Sequence, residues 1–428
     1  MAAATFSATL SRTTGATGLS EVWKRVEGKL VKGFNFGKFE ELKLMAKLPD
    51  GAIPWSAKSV EYPIDLLEDA NVASIPEGGY MARTSSPNVA RASVDVIELN
   101  ARFSASWLSN FADRGSANQH KKQLAYQGAK KVEAINLERA IQFHGSSTAV
   151  LALTDTDIGG TTDTLTLKDA FEVAAFDDAK YLARLFPING WIAAVDSGGA
   201  LVDANAIGQV TARSETSGTI DVAWIGSVSS YTTNGIRLVR AANMENTTVS
   251  GGTSYNKAMI GMVDINTATA PYGVSSSAYP NWSVAYSDTS GGNLTHTKYL
   301  RGKQEIENDG GQMAQTFLVA QGVLRQYLKD ERSGLRYTEG TTVSLDGDVA
   351  AKGVQIIDSK MVPNGAAYLF DRNQLAMWEV LPQTDAPGWD AGIQRQDEAA
   401  KTFPLSYVGN TLCYSRKGFA YWTGLNEA

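Results

Sequence analysis

The residues of this 428-residue chain best suited to proton transfer or metal binding are three histidines, His120, His144 and His296. His120 and His144 fall in one predicted helix, but they are too far apart to share a metal site, and no His-Glu-x-x-His spacing occurs. We therefore expect all three to be ordinary core or surface residues.

Two short motifs are superficially similar to functional loops. VDSGGA, Val195–Ala200, has the serine and glycines of a trypsin-like nucleophile loop but no preceding glycine and no suitably placed histidine, so it predicts a glycine hairpin turn. TDTDIGGTTDT, Thr154–Thr164, has closely spaced carboxylates but no glutamate at the twelfth position of a calcium loop, so it predicts a solvated loop. No phosphate-binding glycine motif occurs. We predict no catalytic, cofactor-binding or metal-ligating residues, which favours a structural role.

The composition is that of an ordinary globular protein. The chain is 43% hydrophobic, and its 39 basic and 45 acidic residues give a net charge of −6, too mild to indicate a nucleic-acid reader or a membrane-surface protein. The single cysteine, Cys413, excludes an internal disulfide framework. The first residues lack a charged head followed by an apolar run, and no window approaches about 18 apolar residues. We expect neither a secretory signal nor a membrane span.

Turn and capping residues predict the boundaries of two elements in the first half of the chain. Pro76–Trp107 predicts an extended hairpin, in which Gly79–Thr84 pairs across SSPN with the strand-forming run Val94–Phe103. Ser116–His144 predicts a long helix, because its first residue and the glutamine three positions later have capping-box spacing and Gly145 follows its end. An isolated two-stranded hairpin is marginal in water, so this one must lie on something.

The middle of the chain changes texture. From Ala149 to Asn293, short apolar runs alternate with Gly, Ser, Asn and Asp, which is typical of a small antiparallel sheet or barrel. Within it we predict a helix at Lys168–Leu185, an inserted β-subdomain at about Gly190–Val249, and long surface loops at Ser250–Asn293.

The last third alternates helices and strands. GVQIIDSKMVPNGAAYLFD, Gly353–Asp371, predicts a strand, a tight turn at Pro363–Gly365 and a second strand, forming a hairpin with no side chain suited to catalysis. The other predicted elements are helices at Leu300–Asn308 and around Val323–Leu328, a short strand at Thr316–Ala320, a short helix around Asn373–Met377, and strands in FPLSYV and TLCYSRKGFAYW.

The order of these elements resembles a known family. GKQEIENDGG, TFLVAQGVLRQYLKD, GVQIIDSKMVPNGAAYLFDRNQLAMWEV and NTLCYSRKGFAYWTGL together resemble the major capsid proteins of tailed phages with the Hong Kong 97-type fold. The resemblance implies an α+β fold with a β-rich insertion. The implied parts are an N-terminal arm at 1–75, an E-loop hairpin at 76–107, the spine helix and start of the peripheral domain at 108–189, an inserted β-subdomain at 190–249, loops at 250–301, an axial domain at 302–400 and C-terminal strands at 401–428.

The resemblance also implies a function and partners. Such a chain is a structural protein without cofactors that assembles in the host bacterial cytoplasm into homo-pentamers and homo-hexamers. These form the icosahedral head of a virion around double-stranded DNA, with a portal, a possible decoration protein and no membrane. No lysine lies between Lys58 and Lys121, so the covalent E-loop crosslink of some members has no donor here. The short arm without heptads predicts a separate scaffolding protein. The basic residues expected to face DNA are Lys24, Arg25, Lys29 and Lys32.

Two alternatives remain open from the sequence. The same fold also serves encapsulin-like bacterial compartments, whose shells hold cargo enzymes rather than a genome. A third reading, from another class, is a β-rich surface-binding protein or hydrolase built around the middle region, which would act as a monomer.

Overall fold

The computed structural model describes residues 42, 46–47, 55–56, 59–66, 89–106, 119–231, 235–241, 258–310, 313–334, 350–351, 354–385, 393–394 and 400–427. They all lie within one unit, Phe39–Ala428, with a mixed α+β fold. The helices are α1 Gln119–His144, α2 Ala179–Arg184, α3 Met262–Thr267, α4 His296–Gly310 and α5 Gln321–Gly334. The strands are β1 Ala46–Lys47, β2 Trp55–Ser56, β3 Ser59–Asp65, β4 Val89–Asp95, β5 Ile97–Ser106, β6 Val150–Thr154, β7 Ile158–Lys168, β8 Trp191–Val195, β9 Ile207–Ser214, β10 Thr219–Tyr231, β11 Arg237–Arg240, β12 Tyr286–Asp288, β13 Thr316–Ala320, β14 Ala350–Ala351, β15 Val354–Ser359, β16 Ala367–Phe370, β17 Leu375–Asp385, β18 Ile393–Gln394, β19 Ala400–Cys413 and β20 Phe419–Trp422.

The middle of the chain forms a closed barrel in the order β10-β7-β6-β11-β8-β9. Small and β-branched side chains fill it, and the buried cluster includes Val150, Ala193, Val195, Ile207 and Val239. The predicted β texture is confirmed, but the predicted boundary at residue 190 is wrong for the barrel. Since β6 and β7 supply two of its strands, the barrel begins at Val150, directly after the loop that follows α1.

The helix predicted at Lys168–Leu185 is largely wrong. Strand β7 runs to Lys168, and α2 is only six residues long. Between them Asp169 and Phe171 have left-handed backbone conformations, with φ of 48° and 54°. A continuous α-helix cannot contain such residues. Asp178 is the N-cap of α2, since its side chain accepts a hydrogen bond from the amide of Tyr181.

The hairpin predicted at Gly353–Asp371 is also wrong, although both of its strands exist. In the six-stranded sheet, ordered β12-β20-β16-β13-β15-β14, the buried strand β13 separates them. Strand β15 runs parallel to β13 and β16 runs antiparallel to it. Parallel neighbours need a crossover connection, and helix α5, between β13 and β15, begins that connection. The turn at Pro363–Gly365 therefore passes the chain across β13 instead of folding it back on β15.

The second sheet has five strands, in the path β1-β17-β19-β18 with β5 also paired to β19. FPLSYV and TLC belong to the single long strand β19, whereas FAYW is β20 of the six-stranded sheet. The predicted unit 401–428 is thus divided between two sheets. The short helix predicted around Asn373–Met377 is a 3-10 turn at Arg372–Gln374, after which β17 begins. Helix α1 contacts β5 and β19.

The described part of the extended hairpin has partners that the sequence did not predict. Val94 in β4 lies opposite Val60 of β3, and Phe103 in β5 lies opposite Phe403 of β19. Gly79–Thr84 lies outside the described residues. The chain leaves β3 at Asp65 and returns at Val89 of β4, so the predicted boundary at residue 76 falls between the two hairpin strands. We call β3 and β4 the hairpin below.

The surface loops predicted at Ser250–Asn293 are wrong for residues 258–266, which include α3 and are nearly all buried. Met259, Met262 and Ile265 are fully buried there. Residues 267–293 are mostly exposed or half-buried, with Trp282 as a fully buried exception.

Candidate functional site: the clamp and the hairpin

The three histidines do not form a site. His144, the last residue of α1, is buried against Phe143 and Tyr368, and this burial lowers its pKa to about 3. His296 is exposed at the start of α4, with Nδ1 3.2 Å from the hydroxyl of Tyr327. His120 lies in α1. Among the described residues, no three His, Cys, Asp or Glu side chains are grouped closely enough to hold a metal ion.

The two motifs that are similar to functional loops have structural positions. In VDSGGA, Asp196 accepts hydrogen bonds from the amides of Gly198 and Ala200, and an antiparallel bridge joins Val195 to Leu201, so the predicted turn is confirmed. The solvated loop predicted at Thr154–Thr164 is wrong from Ile158 onward, because those residues form β7. The carboxylate of Asp163 accepts a hydrogen bond from the indole of Trp224, at 2.6 Å.

Four buried polar side chains link helix α1, the hairpin, the segment around α3 and the five-stranded sheet through separate contacts. We call them together the clamp, and its members are Arg139, Asp264, Glu379 and Asn410. Arg139 Nη2 lies 2.8 Å from Glu379 Oε1, and its guanidinium carbon lies 3.9 Å from the ring centroid of Tyr407. This cation–π contact and the ion pair join helix α1 to strands β17 and β19.

Asp264 of the clamp holds the end of α1. Its carboxylate accepts hydrogen bonds from the hydroxyl of Ser146, at 2.8 Å, and from the amide of Ser147, at 2.6 Å, just beyond the last residue of the helix. Gly261 packs on the final carbonyls of α1, where a Cβ atom would overlap the carbonyl oxygens of Gln142 and Gly145. Only a glycine can approach the helix end this closely.

Asn410 of the clamp fixes the point where the hairpin leaves the body of the protein. Its Oδ1 accepts a hydrogen bond from the amide of Ile260, at 3.0 Å, and its Nδ2 donates to the carbonyl of Asp95, at 2.7 Å. Asp95 ends β4, and after one further residue the chain enters β5 in another sheet. One buried amide side chain therefore ties three separate segments together at the base of the hairpin.

The inner face of the hairpin packs on the same chain. Tyr62 donates a hydrogen bond to the carbonyl of Cys413, at 2.9 Å, and its ring meets Tyr272 and Tyr414 edge to face, with centroids 6.2 and 6.0 Å away. Burial raises the pKa of the Tyr62 hydroxyl, so it stays a neutral donor. Asn281 donates to the carbonyl of Leu66, the residue directly after β3.

The opposite face of the hairpin is accessible. Because side chains alternate along a strand, the burial patterns of β3 and β4 place every second residue outside. We call Glu61, Pro63, Val89 and Arg91 the outer face. Val89 is 51% exposed, and Arg91 Nη1 forms a 3.1 Å ion pair with Glu61 Oε2. The hairpin thus has one face committed to its own chain and one available to another molecule.

Sequence reasoning missed the clamp, although a signal was present. Glu379 interrupts the otherwise apolar stretch LAMWEV, and Arg139 lies between Leu137 and Ile141, on the apolar side of its helix. Charged residues are almost never fully buried unless they are paired, so a charge inside a buried element indicates a partner elsewhere in the fold. What the sequence did not contain is the identity of that partner.

Comparison with known proteins gives the fold. No family model and no curated protein matches the chain. A chain from the capsid asymmetric unit of cyanophage A-1(L) is similar with a TM-score of 0.53, over 96% of this chain and 99% of that chain, at 11% sequence identity. This chain has a phage capsid fold.

Two further solved structures are similar to this capsid fold over most of their length. A chain of the holo-SrpI encapsulin complex from Synechococcus elongatus PCC 7942 has a TM-score of 0.44 and 12% identity, covering 95% of each chain. The capsid of the native GTA particle has a TM-score of 0.45 and 11% identity, over 94% of this chain and 96% of that chain. The fold assignment rests on the cyanophage chain, whose score is higher. Within the described residues, no helix is long and apolar enough to cross a membrane.

Proposed function

We propose that this chain is the major capsid protein of a tailed phage. It is a structural protein that assembles into pentamers and hexamers of an icosahedral head around double-stranded DNA. The observation that carries the proposal is the shared fold with a cyanophage capsid chain over nearly the full length of both. The fold adds an internal reason, because a hairpin fixed at its base by a buried clamp, with an accessible outer face, is suited to lie on a neighbouring subunit.

The parts of a Hong Kong 97-type subunit can be assigned on this proposal. The hairpin with residues 67–88 would be the E-loop, and α1 would be the spine helix, packed on the five-stranded sheet of a peripheral domain. The six-stranded sheet with α4 and α5 would be the axial domain. The barrel would be an inserted subdomain. The candidate DNA-facing residues Lys24, Arg25, Lys29 and Lys32 lie outside the described residues.

The proposal brings the expected partners with it. A head of this type would assemble in the host cytoplasm around a portal. Scaffolding, if used, would be a separate protein, and a decoration protein could bind outside. Packaged DNA would be contacted without sequence specificity.

Electron microscopy of the purified full chain tests the proposal. We expect uniform closed shells, because heterologous contacts between identical subunits close into rings and then into a cage. A stable monomer at high protein concentration would contradict it. Particles that enclose protein rather than DNA in the natural source would favour the encapsulin-like alternative.

A further inference from the structure

Three turns that are distant in sequence meet beside the six-stranded sheet. Each contains a glycine in the left-handed conformation, with φ of 70° at Gly291, 74° at Gly365 and 69° at Gly424. A Cβ atom on Gly291 would lie 2.7 Å from the carbonyl oxygen of Gly424, and one on Gly365 would lie 3.1 Å from that of Leu425. The three backbones therefore approach one another more closely than side chains would allow.

The segment Gly424–Glu427, which we call the strap, crosses the other two turns. The amide of Leu425 donates to the carbonyl of Gly365, and the amide of Asn426 donates to the carbonyl of Gly292, both at 2.9 Å. The strap is thus hydrogen-bonded to both turns through its own backbone.

Glu427 connects the strap to helix α5. Its Oε1 accepts a hydrogen bond from the amide of Gly365, at 2.9 Å, and its carboxylate lies at the first turn of α5, where a Cβ atom on Gly322 would overlap it. Gly365 is buried, so its amide depends on this acceptor. A negative charge at the start of a helix is also favourable.

The strap is less buried than the sheet beside it. Leu425 is buried, but Gly424, Asn426 and Glu427 are exposed, whereas all five residues of β13 are buried. Segments with few buried contacts and exposed hydrogen bonds open locally at a much lower free energy than core strands. The difference in burial favours opening of the strap before the sheet.

We propose that the strap detaches and rebinds as a unit while the six-stranded sheet stays folded. Glu427 keeps the strap bound to the Pro363–Gly365 turn and to α5. The inference does not depend on the shell function, because it concerns contacts within one chain. Its consequence is that this turn has two states, one fastened and one released.

Hydrogen–deuterium exchange of the full chain, followed on peptides by mass spectrometry, tests whether the strap opens separately from the sheet. We expect the strap and the peptide that contains Gly365 to exchange together and well before β13. In Glu427→Ala the Gly365 peptide should exchange at least about tenfold faster, with β13 unchanged, because the amide loses its acceptor. Glu427→Gln keeps an acceptor oxygen and should restore slow exchange.

A second variant keeps the test independent of Glu427 itself. Gly322→Ala places a methyl group where the Glu427 carboxylate lies, so it should accelerate exchange at Gly365 in the same way. The inference is overturned if neither variant changes exchange at Gly365, if Glu427→Gln behaves like Glu427→Ala, or if the strap exchanges only together with β13.

Discussion

Two arginine–glutamate ion pairs have similar nitrogen–oxygen distances but differ in burial. In the clamp, Arg139 and Glu379 are 2.8 Å apart, and their side chains are 8% and 7% exposed. On the outer face, Arg91 and Glu61 are 3.1 Å apart, and their side chains are 76% and 52% exposed. Water solvates the exposed charges, whereas each buried charge depends on its partner. The clamp therefore fixes the fold of this chain, and the outer face leaves a polar surface for contact with another molecule.

The comparison is tested first by removing the buried cation. Arg139→Met should lower the free energy of unfolding by about 3–5 kcal/mol, because the Glu379 carboxylate would stay buried without its guanidinium. Urea denaturation of the chain measures this loss. The double variant Arg139→Met/Glu379→Leu should recover much of it, since no charge is then left buried. A single variant as stable as the parent would show that the clamp is not a stabilising contact.

The turn at Gly365 tests the fold at a second buried position. Gly365→Val should cost about 3 kcal/mol or more and hinder folding or assembly, because a β-branched residue is strained at positive φ and would press on Leu425. Gly128→Ala is the matched control. Gly128 lies inside α1, and the new methyl group would make an ordinary 3.7 Å contact with Phe103 of β5. The substitution should therefore leave stability unchanged or raise it. Normal heads from Gly365→Val would contradict the placement of this turn.

Asn410 tests whether the clamp holds the hairpin. Asn410→Ala should cost about 2 kcal/mol, because the Ile260 amide and the Asp95 carbonyl both lose a partner. Asn308→Ala, at an exposed position of α4, should change stability by less than about 0.5 kcal/mol. Thermal or urea unfolding of both variants measures this difference. Equal effects would show that Asn410 does not stabilise the base of the hairpin.

His144 gives the interior a dependence on pH. Its pKa is about 3 in the folded chain and 6.5 for an ordinary histidine, so between these values only the unfolded chain binds the proton. Stability is therefore full above about pH 6.5 and falls by about 1.4 kcal/mol per unit as the pH drops toward 3. In His144→Gln this part of the slope should disappear from urea titrations at several pH values. An unchanged slope would show that other groups cause it.

The sequence predicted elements better than partners. Helix α1 was predicted close to its observed ends, because its helical periodicity and the glycine after it are local signals. The strands of Gly353–Asp371 were also local, but their pairing with β13 depends on a crossover through α5. The burial of Met259 and Trp282 was missed because the Ser- and Gly-rich residues around them indicated loops. In the clamp, each charge was visible and its partner was more than a hundred positions away.

The outer face is expected to give the smallest effect on the chain itself. Arg91→Met should change the free energy of unfolding by less than about 1 kcal/mol, since an exposed pair contributes little. If the outer face lies on a neighbour, the same variant should reduce the yield or regularity of shells in electron micrographs. A loss of stability as large as that of Arg139→Met would show that this face serves the chain's own fold instead.

The most direct test of the shell account is a cryo-electron microscopy map of particles assembled from the purified chain. The account predicts closed shells in which the outer face of each hairpin, around Val89 and Arg91, is covered by another copy. Particles in which this face is bare in every copy, or a preparation that stays monomeric at high concentration, would contradict it.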